Sequence, residues 1–342
     1  MAACFSSPGI FSLPPIFVLS KISKLAQCLR ACAMPQIEVK EIDLPILDNF
    51  GIDSSLTEKC KDILKDVEIA VCDSDILVKL HNFMPQLKWA HSTWAGIEGL
   101  LKAIPQEPPF TVTRHSGDSF TSLIAEYVVC HILNSERKSR LCWKSQESKV
   151  WLPNNVFSNH RSLNELSVGI LGVGNMGSGI ASFLKSRGTT VYGFARRPRA
   201  PGSQCYFDEI YTKLDDVLPK CDYLINVLPT TPLTSGLLNN SALEKCTKKP
   251  IFINIGRGSI ISEAELLKAL RNGWLAGAVL DVFEEEPLPE TSELWDIPEV
   301  VITPHVSALS KPEHIAEEFF QNLTSYIDGH SLRNVVNWSA GY

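Results

Sequence analysis

Short apolar segments alternate along the chain with longer segments whose apolar residues recur at helical spacing. A strand buried on both faces shows such a continuous apolar run. We predict strands at residues 16–20, 37–42, 68–72, 87–91, 110–113, 168–171, 190–194, 222–227, 251–255, 278–282 and 300–303. The helical spacing predicts helices at residues 23–32, 60–67, 120–133, 180–187, 263–271 and 313–328. Alternation of the two predicts parallel sheets with helices on both faces.

Length and composition fit a soluble α/β protein. A chain of 342 residues is long enough for two domains, and 44% hydrophobic with 20% charged residues is ordinary for a globular protein. The net charge of -6 argues against nucleic acid as a partner. No apolar run reaches the roughly 18 residues of a membrane span. The 10 cysteines form no C-x-x-C pair, so they indicate thiols of a reducing compartment, and we predict no metal site.

The first 36 residues carry basic but no acidic side chains, with Lys21, Lys24 and Arg30 among them. That composition is also found in organelle transit peptides. We favour a strand followed by a helix whose basic residues face water, which leaves only residues 1–14 as a tail. A cytoplasmic location is therefore expected, and an organelle stays open.

A glycine-rich segment follows the strand predicted at residues 168–171. Gly172, Gly174 and Gly177 spell G-x-G-x-x-G, with Asn175 and Met176 between the last two. In a dinucleotide-binding loop the first glycine allows a sharp turn. The second lets a pyrophosphate approach the backbone, and the third lets the helix pack close to the strand. The strand before the motif and the helix after it favour this interpretation over an unrelated glycine-rich turn.

The next strand ends in basic residues where an NAD-binding unit usually carries Asp or Glu. Ala195, Arg196 and Arg197 stand there. A carboxylate would repel a 2′-phosphate, whereas a guanidinium binds it with two parallel hydrogen bonds. These residues therefore predict NADP rather than NAD. The alternative is a solvated basic turn, since Arg199 also follows.

Three ionisable residues stand just past strand ends or in the loop after one: Arg257, Glu286 and His305. In a parallel sheet those ends lie along one edge, and the set suits reduction of a 2-oxo acid. Arg257 would grip the carboxylate and polarise the carbonyl. His305 would protonate the carbonyl oxygen, and Glu286 would orient His305 and favour its imidazolium form. Taken singly, a histidine after proline is more often structural, and Glu286 lies in an acidic run that could be a solvated face.

Other strand ends supply candidate binding residues. Those expected along the cofactor are Leu228, Pro229, Thr234, Ile255 and Gly256. Past the strand at residues 87–91, the backbone N–H groups of Ala95 and Gly96, next to Trp94, could hold a substrate carboxylate. An ordinary strand-to-helix turn is the alternative there.

Four segments, GVGNMG, INIGRGSIISEAELLKAL, GAVLDVFEEEPLP and ITPH, together with the ending VVNWSAGY, resemble the D-isomer-specific 2-hydroxyacid dehydrogenases. The similarity is greatest to their NADP-using glyoxylate/hydroxypyruvate reductase-type branch. It implies two Rossmann-like or flavodoxin-like doubly wound domains with the cofactor cleft between them. The substrate-binding domain would comprise residues 15–136 and 309–342, and the NADP-binding Rossmann domain residues 137–308.

The resemblance also implies roles for particular residues. It places the catalytic trio on Arg257, Glu286 and His305, and Asp281 at the position that bonds the nicotinamide carboxamide. Ala95 and Gly96 match the family loop that holds the substrate carboxylate, although Trp94 and Glu98 make that loop less typical. Members are commonly homodimers through the nucleotide domain, which would give the tryptophan-containing segment at residues 143–161, predicted to be irregular, the role of an interface arm.

Together these features predict NADPH-dependent reduction of glyoxylate, hydroxypyruvate or a similar 2-oxo acid to the D-2-hydroxy acid. A nucleotide-sensing or corepressor-like binding protein on the same fold is the alternative, and it would bind NADPH without turnover. A different glycine-loop enzyme, such as a methyltransferase, would not need Arg257 and His305.

Overall fold

The computed structural model describes residues 13–42, 62–198 and 206–341. The predicted tail at residues 1–14 and the predicted helix at residues 60–67 therefore lie partly outside the described residues. The chain divides into two compact units. One comprises the described part of Met1–His115 together with Ser310–Tyr342, and the other is Ser116–Leu309. This division falls before the long helix that ends at Glu136, and the predicted domain boundaries at 136/137 and 308/309 stay predictions.

The strands follow the apolar segments of the sequence closely. They are β1 Ile16–Leu19, β2 Val39–Glu41, β3 Ile69–Cys72, β4 Trp89–Ser92, β5 Thr111–Arg114, β6 Ser167–Leu171, β7 Thr190–Phe194, β8 Glu209–Tyr211, β9 Tyr223–Asn226, β10 Ile251–Asn254, β11 Gly277–Leu280 and β12 Val300–Ile302. Among the described residues, the first five form one sheet in the order β2-β1-β3-β4-β5, and the others form a second in the order β12-β11-β10-β9-β6-β7-β8. Every pairing within both sheets is parallel. The prediction of two α/β units built on parallel sheets is confirmed.

The helices alternate with these strands. They are α1 Leu25–Cys32, α2 Ser74–Leu80, α3 Glu98–Ala103, α4 Asp118–Glu136, α5 Ser139–Glu147, α6 Asn175–Lys185, α7 Leu214–Val217, α8 Glu263–Arg271 and α9 Pro312–Ile327. Among the described residues, no helix has the length and apolar character that a membrane span requires.

In the first unit the carboxyl-terminal helix α9 packs on the amino-terminal sheet. Phe319 of α9 stacks on Trp89 of β4 with ring centroids 4.9 Å apart, and both side chains are fully buried. Leu29 of α1 belongs to the same apolar cluster. Burial of each large apolar side chain contributes roughly 1.5–3 kcal/mol, so α9 is an integral part of this unit.

In the second unit a polar network ties the end of α4 to the amino-terminal end of β9, an interior strand of the sheet. Glu136 accepts hydrogen bonds from Arg161 at 2.7 Å and from the hydroxyl of Tyr223 at 2.9 Å. Arg161 also pairs with Asp222 at 2.8 Å. Burial raises the pKa of Glu136, but the bonds from Arg161 and Tyr223 outweigh it and leave that pKa lowered.

Two sequence predictions about local structure are wrong. Trp143 lies in α5, so the segment at residues 143–161 is irregular only beyond Glu147. No side chain of α5 is buried, and the helix therefore lacks the apolar spacing that predicts one. The helix predicted at residues 180–187 begins instead at Asn175, inside the glycine motif.

Candidate active site

The glycine loop connects β6 to α6 by the shortest path that its residues allow. Gly172 has φ of 111°, a conformation that favours glycine. A Cβ on Gly177 would lie 1.8 Å from the carbonyl oxygen of Gly172, so α6 packs against the loop with no room for a side chain. A Cβ on Gly174, the N-cap of α6, would meet nothing within 4 Å. The loop therefore leaves open space beside the backbone at the start of a helix, the arrangement that receives a phosphate.

The end of β7 presents a basic surface. The backbone of Ala195 donates to Tyr211 of β8 at 2.9 Å, which fixes the turn after the strand. Arg196 and Arg197 are exposed. Neither forms a hydrogen bond or ion pair with another side chain in the described ranges. Both guanidinium groups can therefore take an anionic ligand without giving up a partner there.

The loop after β9 is stiffened by its own threonines. The hydroxyl of Thr234 donates to the carbonyl of Pro229 at 2.6 Å and accepts from the N–H of Thr231 at 2.8 Å. The N–H of Leu228 donates to the side chain of Asn226 at 3.1 Å. This loop lies at the carboxyl edge of the sheet, beside the strand that precedes Ile255 and Gly256.

Arg257 follows β10 at the same edge. A Cβ on Gly256 would lie 2.7 Å from the side-chain nitrogen of Asn226, so the backbone passes close to the neighbouring strand end. The carbonyl of Arg257 accepts from the side chain of Asn254 at 3.2 Å. Its guanidinium is half-buried and donates to the carbonyl of Gly256 at 2.6 Å. Asn254 thus holds the main chain of Arg257, and the guanidinium bonds the carbonyl of the preceding residue.

Glu286 and His305 come together. Nδ1 of His305 lies 2.8 Å from Oε2 of Glu286, and the other carboxylate oxygen accepts from the N–H of Phe283 at 2.9 Å. The side chain of His305 is 53% exposed and that of Glu286 35%. With Nδ1 on the carboxylate, Nε2 is the ring nitrogen left for a substrate. The structure thus pairs the two groups as the sequence predicts, while their catalytic roles stay predictions.

Asp281 stands one residue past β11, inside the predicted strand at residues 278–282 but outside the observed one. It is fully buried. Oδ1 accepts from the hydroxyl of Thr303 at 2.5 Å and from the N–H of Val306 at 2.8 Å, and Oδ2 accepts from the N–H of Ser307 at 2.8 Å. The carboxylate is thus enclosed by the loop that carries His305.

The predicted substrate-loop residues lie in the first unit, just past β4. The N–H of Trp94 donates to the hydroxyl of Ser92 at 3.1 Å, and the ring of Trp94 is 42% exposed. The carbonyl of Ala95 accepts from the guanidinium of Arg114 at 3.2 Å. Gly96 follows, two residues before α3 begins at Glu98. All the other predicted site residues lie in the second unit.

Sequence reasoning missed two groups of residues around these sites. Arg114, at the end of β5, places a cation against the Trp94–Gly96 turn, and the strand-end rule that found Arg257 would also have found it. Tyr127 of α4 bonds Thr303 at 2.6 Å, beside Asp281. No spacing in the sequence joins a tyrosine in a helix to a threonine 176 residues away.

A sequence model of one family matches more than half of the chain. The description of that family is D-isomer specific 2-hydroxyacid dehydrogenase, NAD binding domain, and the match covers residues 129–307. Glyoxylate/hydroxypyruvate reductase A of Yersinia enterocolitica is 32% identical over 264 residues, which are 75% of this chain and 82% of that protein.

Solved structures agree with this match. A D-isomer specific 2-hydroxyacid dehydrogenase family protein from Aeromonas salmonicida has a TM-score of 0.78 at 32% identity and covers 95% of this chain and 99% of its own. The NADPH-dependent glyoxylate/hydroxypyruvate reductase of Sinorhizobium meliloti, in complex with NADP and sulfate, has a TM-score of 0.77 at 29% identity and covers 96% and 100%. The resemblance inferred from the sequence is confirmed, and this chain belongs to the D-isomer specific 2-hydroxyacid dehydrogenase family.

Proposed function

We propose that this protein reduces a small 2-oxo acid, such as glyoxylate or hydroxypyruvate, to the D-2-hydroxy acid with NADPH. The observation that carries the proposal is the Glu286–His305 pair, an accessible histidine with one nitrogen on a carboxylate at the carboxyl edge of a dinucleotide-type sheet. Similarity to the Yersinia enterocolitica and Sinorhizobium meliloti reductases supports the same substrate class.

The glycine loop and the basic end of β7 suit NADP. Open space at Gly174 would admit the pyrophosphate, and the exposed Arg196 and Arg197 would bind the 2′-phosphate. The remaining proposed cofactor contacts are Gly172, Asn175, Met176, Gly177, Ala195, Leu228, Pro229, Thr234, Ile255, Gly256 and Asp281. When bound, NADPH supplies the hydride that reduces the substrate carbonyl.

The side chains supply binding and the proton. Arg257 would pair with the substrate carboxylate and polarise the carbonyl. Protonated His305 would donate the Nε2 proton to the carbonyl oxygen, because Nδ1 is held by Glu286. Glu286 bonds Nδ1 and would fix the plane of the ring. In the first unit, Trp94, Ala95 and Gly96 are the proposed substrate contacts.

A substrate screen tests the proposal. The purified full chain is mixed with NADPH or NADH and with glyoxylate, hydroxypyruvate, pyruvate or 2-oxobutyrate, and absorbance at the reduced-nicotinamide band is followed. We expect turnover with at least one of these acids and a preference for NADPH. Binding of NADPH without turnover of any acid would favour the nucleotide-sensing alternative and would contradict the proposal.

The cofactor assignment has its own test. The double substitution Arg196→Asp with Arg197→Ala removes the two guanidinium groups and adds a carboxylate that can bond a ribose 2′-hydroxyl. We expect kcat/KM to shift toward NADH by at least roughly tenfold, as the loss of a charge-assisted contact requires. An unchanged preference would exclude these residues from the 2′-phosphate site.

Association into a homodimer is part of the proposal. Trp143 and Trp151 are 57% and 95% exposed, and Leu141 and Val150 beside them are also exposed. Large exposed apolar side chains grouped in one segment are typical of an interface. Sedimentation of the wild type and of Trp143→Ser with Trp151→Ser would test it, with the variant expected to shift toward the monomer.

A further inference from the structure

We infer that Tyr127 and Thr303 are positioning residues for the proposed reductase, and that they hold the His305 loop through the buried carboxylate of Asp281. The inference rests on the proposed function only for its kinetic consequence. The arrangement itself joins α4, the end of β11 and the loop after β12, all within the second unit.

Tyr127, Thr303 and Asp281 form a series of hydrogen bonds, and the direction of each bond follows from the donors available. Oδ1 of Asp281 can only accept, so the hydroxyl of Thr303, 2.5 Å away, gives its single proton to that carboxylate. The Tyr127 hydroxyl, 2.6 Å from the same threonine oxygen, must then donate to it. Burial raises the pKa of Tyr127 to about 12, which keeps that proton in place. A directed relay therefore runs from Tyr127 through Thr303 to Asp281.

Asp281, at the end of this relay, holds the backbone at the histidine and at the two residues after it. Asp281 accepts from the N–H groups of Val306 and Ser307, and its own carbonyl accepts from the N–H of His305 at 2.9 Å. His305 has φ of 55°, a left-handed conformation that is strained for a non-glycine residue. Such a conformation persists only when its surroundings hold it, and the bonds to Asp281 do so.

The ring of Tyr127 packs against a neighbouring ring in the same helix. Its ring lies 4.4 Å from the ring of His131, one turn further along α4. The hydroxyl therefore has little freedom to leave Thr303. Tyr127 lies in α4, and Thr303 and Asp281 each stand one residue past a strand, so regular elements anchor all three links and the strained turn can present the His305 ring to Glu286 in one orientation.

The test uses the full chain with the single variants Tyr127→Phe and Thr303→Val and the conservative variant Thr303→Ser. Removing one partly buried hydrogen bond should lower kcat roughly three- to tenfold, and Thr303→Val should lower it more than Tyr127→Phe. The KM for NADPH should change less than kcat, although Asp281 is also a proposed cofactor contact and its bond from Thr303 is lost in Thr303→Val. Thr303→Ser keeps the hydroxyl and should restore most of the rate.

A double-mutant cycle separates positioning from general loosening of the fold. Since Tyr127 acts only through the Thr303 hydroxyl, Tyr127→Phe with Thr303→Val should be no slower than Thr303→Val alone. The matched control is Tyr223→Phe, which removes a buried tyrosine hydroxyl that donates to Glu136 of α4, and it should lower stability without lowering kcat. The inference would be overturned if the kcat losses of Tyr127→Phe and Thr303→Val add in the double variant. It would also be overturned if Tyr223→Phe lowers kcat as much as Tyr127→Phe does.

A readout independent of turnover distinguishes this inference from the proposed function. The ring signals of His305 in a ¹H–¹⁵N spectrum, identified by their loss in His305→Gln, should move in Thr303→Val and stay in place in Thr303→Ser and Tyr223→Phe. Unmoved signals in Thr303→Val refute the positioning role even if the enzyme is active. If the His305 signals move in Thr303→Val but the wild type reduces no 2-oxo acid, the relay is supported and the proposed function is rejected.

Discussion

The two units each contain a histidine paired with a glutamate, and the pairs differ in burial. In the first unit, Nδ1 of His115 lies 2.7 Å from Glu318, and the two side chains are 1% and 8% exposed. In the second, His305 lies 2.8 Å from Glu286, with 53% and 35% exposed. The chemistry and the distance are nearly the same, so the pairing alone does not distinguish a structural site from a catalytic one.

Burial gives the first pair a structural role. Glu318 of α9 also accepts from Asn334 at 2.5 Å, so one carboxylate joins the end of β5, α9 and the chain after it. Burial raises the pKa of Glu318, but the hydrogen bond from His115 and the nearby histidines outweigh it and lower the pKa to about 2. A charge held this firmly in the core cannot exchange protons with a ligand. It fastens α9 to the sheet.

The exposed pair, Glu286 and His305, contributes little to stability but is accessible to a ligand. An exposed ion pair contributes only about 0–1 kcal/mol to folding, because water solvates both groups well when they separate. The same exposure leaves Nε2 of His305 accessible to a substrate. We therefore expect the buried His115–Glu318 pair (the core pair) to contribute stability, and under the proposed function the exposed Glu286–His305 pair (the edge pair) to transfer the proton. Each of the following experiments tests one of these two expectations.

The largest expected effect is on turnover. His305→Ala should lower kcat roughly 10²- to 10⁴-fold, the usual contribution of a general acid, while NADPH binding stays intact. His115→Gln should keep kcat per folded molecule and lose stability. Steady-state rates and NADPH titration on both variants check this, and near-normal turnover in His305→Ala would remove the proton donor from the proposal.

The next effect is on folding. Glu318→Ala leaves the buried His115 without its carboxylate and should cost about 3–5 kcal/mol of unfolding free energy. Urea unfolding measures the loss, and hydrogen exchange in α9 locates it in the first unit. Glu286→Ala is the matched exposed change. If Glu318→Ala and Glu286→Ala lose the same unfolding free energy, then burial does not account for a difference in stability between the two pairs.

Acid should lower the unfolding free energy through the groups around the core pair, and the pKa shifts of these groups set the pH range. Burial lowers the pKa of His91, beside this pair, to about 4 from the ordinary 6.5. The folded state therefore favours neutral His91. Its contribution to stability is complete above pH 6.5 and falls as the pH drops toward 4, by of order 3 kcal/mol at most. For Glu318 the contribution is complete above pH 4.5 and falls toward pH 2.

The variant His91→Gln isolates the upper part of that range. Between pH 6.5 and 4.5 its unfolding free energy should fall less steeply than that of the wild type, because His91 no longer takes up a proton on unfolding. Urea unfolding at several pH values measures both slopes. Parallel slopes would show that His91 does not carry this pH dependence.

Elements with their own local signals were predictable from the sequence. Helix α8 has the predicted bounds, residues 263–271, since Ser262 caps it by accepting from the N–H of Glu265 at 3.3 Å and Lys268 and Arg271 stand in its last turn. The strand ends that carry Arg257 and His305 follow from apolar runs. A parallel sheet brings such ends to one edge without any further information.

Contacts between distant elements were not predictable. His115 and Glu318 are 203 residues apart, and Tyr127 and Thr303 are 176 apart. Each pair depends on which face of a helix packs on a sheet, and no spacing in one sequence records that. Helix α5 escaped prediction for a different reason, because none of its side chains is buried.

The smallest expected effect is the stability change from Glu286→Gln, and it sharpens the comparison because the substitution keeps size and shape. With His305 half in water, loss of the charge should change the unfolding free energy by no more than about 0.5–1 kcal/mol, and added salt should shrink that difference. Glu318→Gln makes the same replacement inside the core, where salt cannot screen the pair, so its cost should be larger and nearly independent of salt. Urea unfolding at low and high ionic strength measures all four values. If Glu286→Gln and Glu318→Gln lose the same unfolding free energy, or if salt reduces both losses alike, then Glu286 is held as firmly as Glu318. The edge pair would then be a structural ion pair and not a group free to transfer a proton.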